Sequence, residues 1–96
     1  MLTAIVLIET DPAMIPEVAQ AVADVERVSE VYSVTGDVDL IAMVRVRAHE
    51  ELAKVIADEI SKVPGVRETR TDSAFQAYSR HDLGEACDLG LDRSAA

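Results

Sequence analysis

The chain has 96 residues and a mass of 10.4 kDa, which limits it to one hydrophobic core and excludes a two-domain arrangement. It is 49% hydrophobic and 28% charged, with three prolines and four glycines, a composition that supports a folded core and excludes a disordered chain. A formal net charge of −9, from 18 acidic and 9 basic residues, repels phosphate backbones and argues against direct nucleic-acid binding. No stretch approaches the roughly 18 apolar residues of a membrane span, and Met1-Leu2-Thr3 offers no basic leader, so a protein of the cytoplasm with no membrane partner is expected. The single Cys87 cannot form an internal disulfide, and with His49 and His81 it lacks the paired spacing of a zinc site; no metal and no cofactor is expected.

Leu2 to Glu9 is a short β-branched run, apolar at both alternating sets of positions, which predicts a central strand covered on both faces. Asp11-Pro12 reads as a helix cap followed by proline at the first helical position. Ile15, Val18, Val22 and Val25 then recur at three- and four-residue steps, predicting a helix that ends near Arg27. Val28 to Thr35 alternates as an edge strand does, and Gly36-Asp37 predicts a tight two-residue hairpin turn with glycine at positive φ. A third strand is expected from Asp39 to Arg47, again apolar on both sides in its first half. From His49 the period becomes helical, with Leu52, Val55, Ile56, Ile60 and Val63 on one stripe and Pro64-Gly65 as the stop. Val66 to Ser79 reads as a polar strand with a break at Ala74. The predicted organisation is a folded unit over 1–80 and an acidic, glycine-punctuated tail over 81–96, with a short helix around Leu83 to Leu89.

This order, strand-helix-strand-strand-helix-strand with short connections, predicts an α+β, ferredoxin-like βαββαβ domain: a four-stranded antiparallel sheet with both helices on one face. Two helices cover one face only, whereas the first and third strands are apolar on both. Burying the second face returns about 25 cal/mol per Å² of apolar surface, so a homodimer through the open sheet face is expected.

Val34-Thr35-Gly36-Asp37-Val38-Asp39 fits a V-x-G-x-x-D hairpin, and Pro64-Gly65-Val66-Arg67-Glu68-Thr69-Arg70-Thr71 fits a P-G-V-x-x-T-x-T strand opening. With these two motifs in order on the matching elements, residues 2–79 resemble the effector-binding (RAM) domain of the Lrp/AsnC regulators. The resemblance implies dimers that associate into larger rings and a free amino acid bound in a cleft between dimers near the hairpin, with Gly36 and Asp39 as the leading contacts, then Thr71, and with Asp37 between them as a substitute. Ser33, His49, Ser73 and Ala74 fall near that cleft by alignment without matching a motif. Exposed hairpin N–H groups suit a ligand carboxylate, and an aspartate suits its ammonium. The family's full-length members carry an N-terminal helix-turn-helix, whereas this sequence starts at the first strand of the effector domain. A stand-alone form is therefore expected, with full-length Lrp/AsnC regulators as candidate partners.

Each candidate also has a structural explanation: turn geometry for Gly36, capping of turn amides for Asp39, and strand preference for Thr69 and Thr71. Asp37-x-Asp39 lacks the further oxygen ligands of a calcium loop. His81-Asp82, and His49 beside Glu50-Glu51, pair with no nucleophile, and Cys87 lacks the basic neighbours that activate a thiol. Three functions stay open: a non-enzymatic amino-acid-binding and oligomerisation module, a small dimeric enzyme of monooxygenase or isomerase type, and a purely structural oligomerisation domain. The low aromatic content of 3% and the lack of a convergent acid-base set weigh against the enzyme.

Overall fold

A computed structural model of the chain describes residues 1–78. The elements are β1 (Leu2–Thr10), a 3-10 turn (Pro12–Met14), α1 (Ile15–Ala23), β2 (Val28–Ser33), β3 (Leu40–Val46), α2 (His49–Lys54) running into wider π-type turns (Val55–Ile60), and β4 (Val66–Ser73). The four strands form one antiparallel sheet in the order β2-β3-β1-β4, the ferredoxin-like α+β arrangement that the alternating periodicities predict. The expected tail over 81–96 and its helix at Leu83 to Leu89 lie outside the described residues, as do His81 and Cys87.

The registers sort the side chains of the central strands into two faces. Ala4, Val6 and Ile8 of β1 stand opposite Val44, Ala42 and Leu40 of β3, and all six are fully buried. They pack with Val18 and Val22 of α1 and with Leu52, Val55 and Ile60 after β3, so both helical segments cover this one face. The intervening residues Ile5, Leu7, Ile41 and Met43 occupy the opposite face and are half-buried. The expectation of strands covered twice thus divides within one protomer into a closed face and an open apolar one.

Several boundaries differ from those predicted, each for a local reason. Asp11 does cap its helix start, accepting the Ala13 N–H through Oδ1 at 3.0 Å, but the first turn is 3-10. Pro16 has no N–H to give to the Pro12 carbonyl, so the α-helical pattern restarts at Ile15. At the other end α1 stops at Ala23 rather than near Arg27. Three-residue hydrogen bonds, Val25 N–H to the Val22 carbonyl (3.1 Å) and Val28 N–H to the Val25 carbonyl (3.0 Å), tighten the chain into β2. The second helix is not uniform: Ser61 N–H reaches the Ile56 carbonyl at 2.8 Å, a five-residue step. That widening keeps both Val55 and Ile60, five positions apart, in the core. β4 ends at Ser73, although Ala74 N–H still bonds the Thr3 carbonyl at 2.8 Å.

Gly65 closes the second crossover. Its φ is +101°, and a Cβ there would lie 2.7 Å from Val18 Cγ2 and 3.2 Å from Met14 Cβ. The Asp11 N–H donates to its carbonyl at 2.8 Å, pinning the start of β4 to the end of β1. Gly65→Ala should therefore combine backbone strain with overpacking and lower unfolding free energy by about 1–3 kcal/mol. Gly36→Ala, where a Cβ meets nothing within 4 Å, should cost less. Equal urea midpoints for the two variants would contradict this.

A second tie joins the two crossovers. Ala48 at the α2 cap position makes no side-chain bond, and Glu51 serves instead. Its Oε1 accepts the Arg47 N–H at 2.9 Å and its Oε2 pairs with Arg27 Nε at 2.6 Å. The Arg47 N–H, with Arg27 adding to it, holds the Glu51 carboxyl below its ordinary range near 4.5. A depressed carboxyl stabilises the native state above its unfolded value, and that contribution is lost as pH falls through the native one. Thermal melts of wild type should thus weaken below about pH 4.5. Glu51→Gln should melt lower at neutral pH and show a flatter acid limb in that window. Parallel curves for the two proteins would exclude the tie.

Candidate functional site

The hairpin between β2 and β3 is wider than a two-residue turn. The strands end at Ser33 and resume at Leu40, leaving residues 34–39 as a loop closed by the Val34 N–H to the Asp39 carbonyl at 3.2 Å. Gly36 has φ +125°, a conformation that L side chains rarely adopt, and both Gly36 and Asp37 are exposed. Val38 is buried within the loop, and the adjacent Asp39 is half-buried at the sheet margin.

Asp39 extends the sheet with its side chain. Its N–H donates to the Ile8 carbonyl at 3.0 Å, the last main-chain bond from this loop to β1. The next donor along β1, the Thr10 N–H, bonds Asp39 Oδ2 at 2.9 Å instead of a main-chain carbonyl. Thr10 is 2% exposed, so this N–H has no access to water and depends on the carboxylate. Its hydroxyl donates to the Asp11 carbonyl at 3.1 Å. Beyond Val34, the N–H groups of residues 35–38 make no main-chain hydrogen bond among the described residues. Asp39 Oδ1 has no protein partner among the described residues and remains able to accept from a ligand.

The other predicted contacts are spread along the sheet. Ser33 is exposed at the end of β2, opposite Leu40 and beside the hairpin. Thr71 stands opposite Val6 in β4, separated from β3 by the whole width of β1. Ser73 is opposite Ala4, Ala74 bonds Thr3, and exposed His49 follows the far end of β3. From Thr10 to Thr3 is seven steps of strand, about 23 Å at roughly 3.3 Å per residue. One protomer therefore gathers Gly36, Asp37, Asp39 and Ser33 at one end of the sheet and leaves His49, Ser73 and Ala74 at the other. Sequence reasoning missed Thr10 altogether. Its partner lies 29 residues away and only the strand register brings them together; a lone threonine ending an apolar run was the one available hint.

Among the described residues no group of three or more His, Cys, Asp or Glu could hold a metal ion, and no helix is long and apolar enough to cross a membrane.

A ferredoxin-like subunit with an open apolar sheet face and a Gly-x-x-Asp hairpin at its margin defines a class of small ligand-binding regulatory domains. The chain belongs to the Lrp/AsnC ligand binding domain family, whose profile matches residues 3–83. It is similar to TTHA0845 from Thermus thermophilus, at 44% identity and a TM-score of 0.78, over 83% of this chain and 100% of that one. Among curated proteins it resembles the HTH-type transcriptional regulator FL11 of Pyrococcus abyssi, 37% identical over 68 residues, which are 71% of this chain and 44% of the regulator. The chain spans about half the length of the curated relatives it matches. A feast or famine regulatory protein of M. tuberculosis (Rv3291c), solved in complex with L-methionine, is 26% identical with a TM-score of 0.71, over 82% of this chain and 53% of that one.

Proposed function

We propose that this domain is a non-enzymatic sensor that binds a free amino acid at the hairpin end of the sheet and works by assembling, in the cytoplasm, with copies of itself and with full-length Lrp/AsnC regulators that supply the DNA contact. The observation that carries this reading is the divided Asp39 carboxylate. Oδ2 is held by the buried Thr10 N–H, and Oδ1 has no protein partner among the described residues. The fixed oxygen orients the free one, so an ammonium meets a carboxylate that needs no reordering, while loop N–H groups receive the ligand carboxylate. Gly36 gives the loop its shape, and Asp37 and Ser33 border it. Thr71, His49, Ser73 and Ala74 stand too far off to join this pocket within one protomer, and enter the proposal as groups brought up by a neighbouring copy. The L-methionine bound to the mycobacterial relative supports the ligand class.

Homodimerisation through Ile5, Leu7, Ile41 and Met43, and higher association through the hairpin, belong to the same proposal. The regulator relatives favour it over an enzyme of monooxygenase or isomerase type. So does the placement of His49 at the opposite end of the sheet from Asp39.

Thermal-shift screening of the twenty amino acids, with L-methionine first, tests the ligand. At a hundredfold excess over Kd a native-state binder adds about 2.7 kcal/mol, a rise on the order of 10 °C for a domain of this size. No shift with any amino acid at millimolar concentration would reject the sensor. Light scattering should show at least a dimer at micromolar concentration, and a stable monomer there would reject the assembly.

A further inference from the structure

The core holds no aromatic side chain. The sequence contains one phenylalanine, two tyrosines and no tryptophan. Phe75 is 99% exposed, Tyr78 is 85% exposed and Tyr32 is 51% exposed. Aromatic side chains carry large apolar area and are enriched where protein surfaces meet, so a chain that spends all three on its surface is built for a contact outside its own protomer.

Phe75 and Tyr78 lie on the stretch that leaves β4, and the register shows why the described sheet of their own protomer does not receive them. Ser73 is paired with Ala4, and Ala74 N–H bonds the Thr3 carbonyl. β1 begins at Leu2, so a chain running antiparallel to it passes the last available rung at about Phe75. Residues 76–78 follow beyond the end of β1, with no strand beside them among the described residues. Over residues 74–78 an extended chain spans about 16 Å, more than three strand spacings of roughly 4.8 Å. The root of this arm is fixed by hydrogen bonds and its tip lies past the sheet.

We propose that residues 74–78 form an aromatic arm that docks on the open sheet face of a second copy of this chain. The receiving surface is the half-buried group Ile5, Leu7, Ile41 and Met43, bordered by Tyr32 at the edge strand β2. A face-to-face pair is isologous, so each protomer both offers an arm and receives one, and one contact is made twice. The arm thereby adds two aromatic anchors to an apolar face that has a single aromatic of its own. This rests on the reading that the open face is a homodimer interface, and specifies which segment completes it.

Because the chain has no tryptophan, Phe75→Trp gives a single reporter at the arm, with Tyr78→Trp as a second reporter should the first disturb assembly. Emission and acrylamide quenching are read on the full chain across a dilution series, alongside light scattering. The expected result is a blue-shifted, shielded tryptophan in the dimer that becomes exposed as the dimer dissociates, and in the open-face variant Leu7→Glu at any concentration. A tryptophan exposed in a dimer seen by light scattering overturns the arm and leaves the dimer standing. One that is shielded in the monomer shows the arm covered by its own chain, residues 79–96 included, and also overturns it. A chain monomeric throughout overturns both the arm and the dimer reading. In the second measurement, Phe75→Ser/Tyr78→Ser should raise the dimer dissociation constant at least about 30-fold, the loss expected of one aromatic hot spot. An unchanged constant overturns the proposal.

Discussion

Val6→Asp should yield no stable folded protein. Val6 is fully buried on the helix-covered face of β1, flanked in the sheet by Ala42 of β3 and Thr71 of β4. An aspartate there loses the packing of the valine and places a carboxylate among apolar core side chains. Removing an unpaired charge from water costs at least several kcal/mol, comparable with the roughly 5–14 kcal/mol that holds together a chain of this length. Val44→Asp, opposite Ala4 on the same face, should behave alike. Leu7→Asp is the informative contrast. It lies one position along β1 from Val6 on the open face, where the half-buried leucine can be replaced by a hydrated carboxylate, and that variant should fold and fail to dimerise. Circular-dichroism melts with soluble yields read the first effect, and light scattering reads the second. A cooperative melt near the wild-type temperature for Val6→Asp would mean that the faces are assigned the wrong way round.

That one-residue contrast marks the limit of what the sequence conveys about the fold. Element order and sheet type were legible because apolar period changes sharply at Asp11, Val28, His49 and Val66, close to the observed boundaries. The strands apolar on both sets of positions announced two surfaces to cover. Which set faces the helices was not legible, because Ala4, Val6 and Ile8 are as apolar as Ile5 and Leu7, and the choice depends on how the crossovers pass over the sheet. Helix ends were less legible than helix identity. Pro16 breaks the first helix by lacking a donor, a signal present in the sequence, whereas the five-residue step at Ile56–Ser61 has no local marker and follows from packing Val55 and Ile60 together.

The site was legible as a motif and illegible as geometry. V-x-G-x-x-D located the hairpin and P-G-V-x-x-T-x-T located the β4 opening. Gly65 turned out to be needed for its φ and its contact with Val18. The tight turn expected at Gly36-Asp37 is a longer loop, residues 34–39, whose far end is tied to Thr10 across the sheet through Asp39. The residues set near the cleft by alignment do not gather around Asp39 within one protomer. Ser73, Ala74 and His49 stand a strand's length away, a separation that only the antiparallel register reveals.

The two roles of Asp39, ladder acceptor and ammonium acceptor, are separable by substitution. Asp39→Asn keeps a side-chain oxygen for the Thr10 N–H and removes the charge, so it should melt close to wild type and bind its amino acid about ten- to a hundredfold more weakly. That is the loss of roughly 1.5–3 kcal/mol expected for a hydrogen bond to a charged group. Asp39→Ala should lose affinity at least as much and also leave the Thr10 N–H, at a residue only 2% exposed, without an acceptor. An unsatisfied buried donor costs about 1–3 kcal/mol, equivalent to a fall of roughly 5–20 °C in a domain of this size. Calorimetric titration with the amino acid that emerges from the thermal screen gives the affinities, and melts without ligand give the stabilities. If Asp39→Asn binds as wild type does while Asp39→Ala melts low, Asp39 serves the ladder alone and the ammonium must be sought elsewhere along the hairpin. If both variants melt as wild type, the Thr10 bond does not hold the loop, and the oriented free oxygen on which the site depends is lost with it.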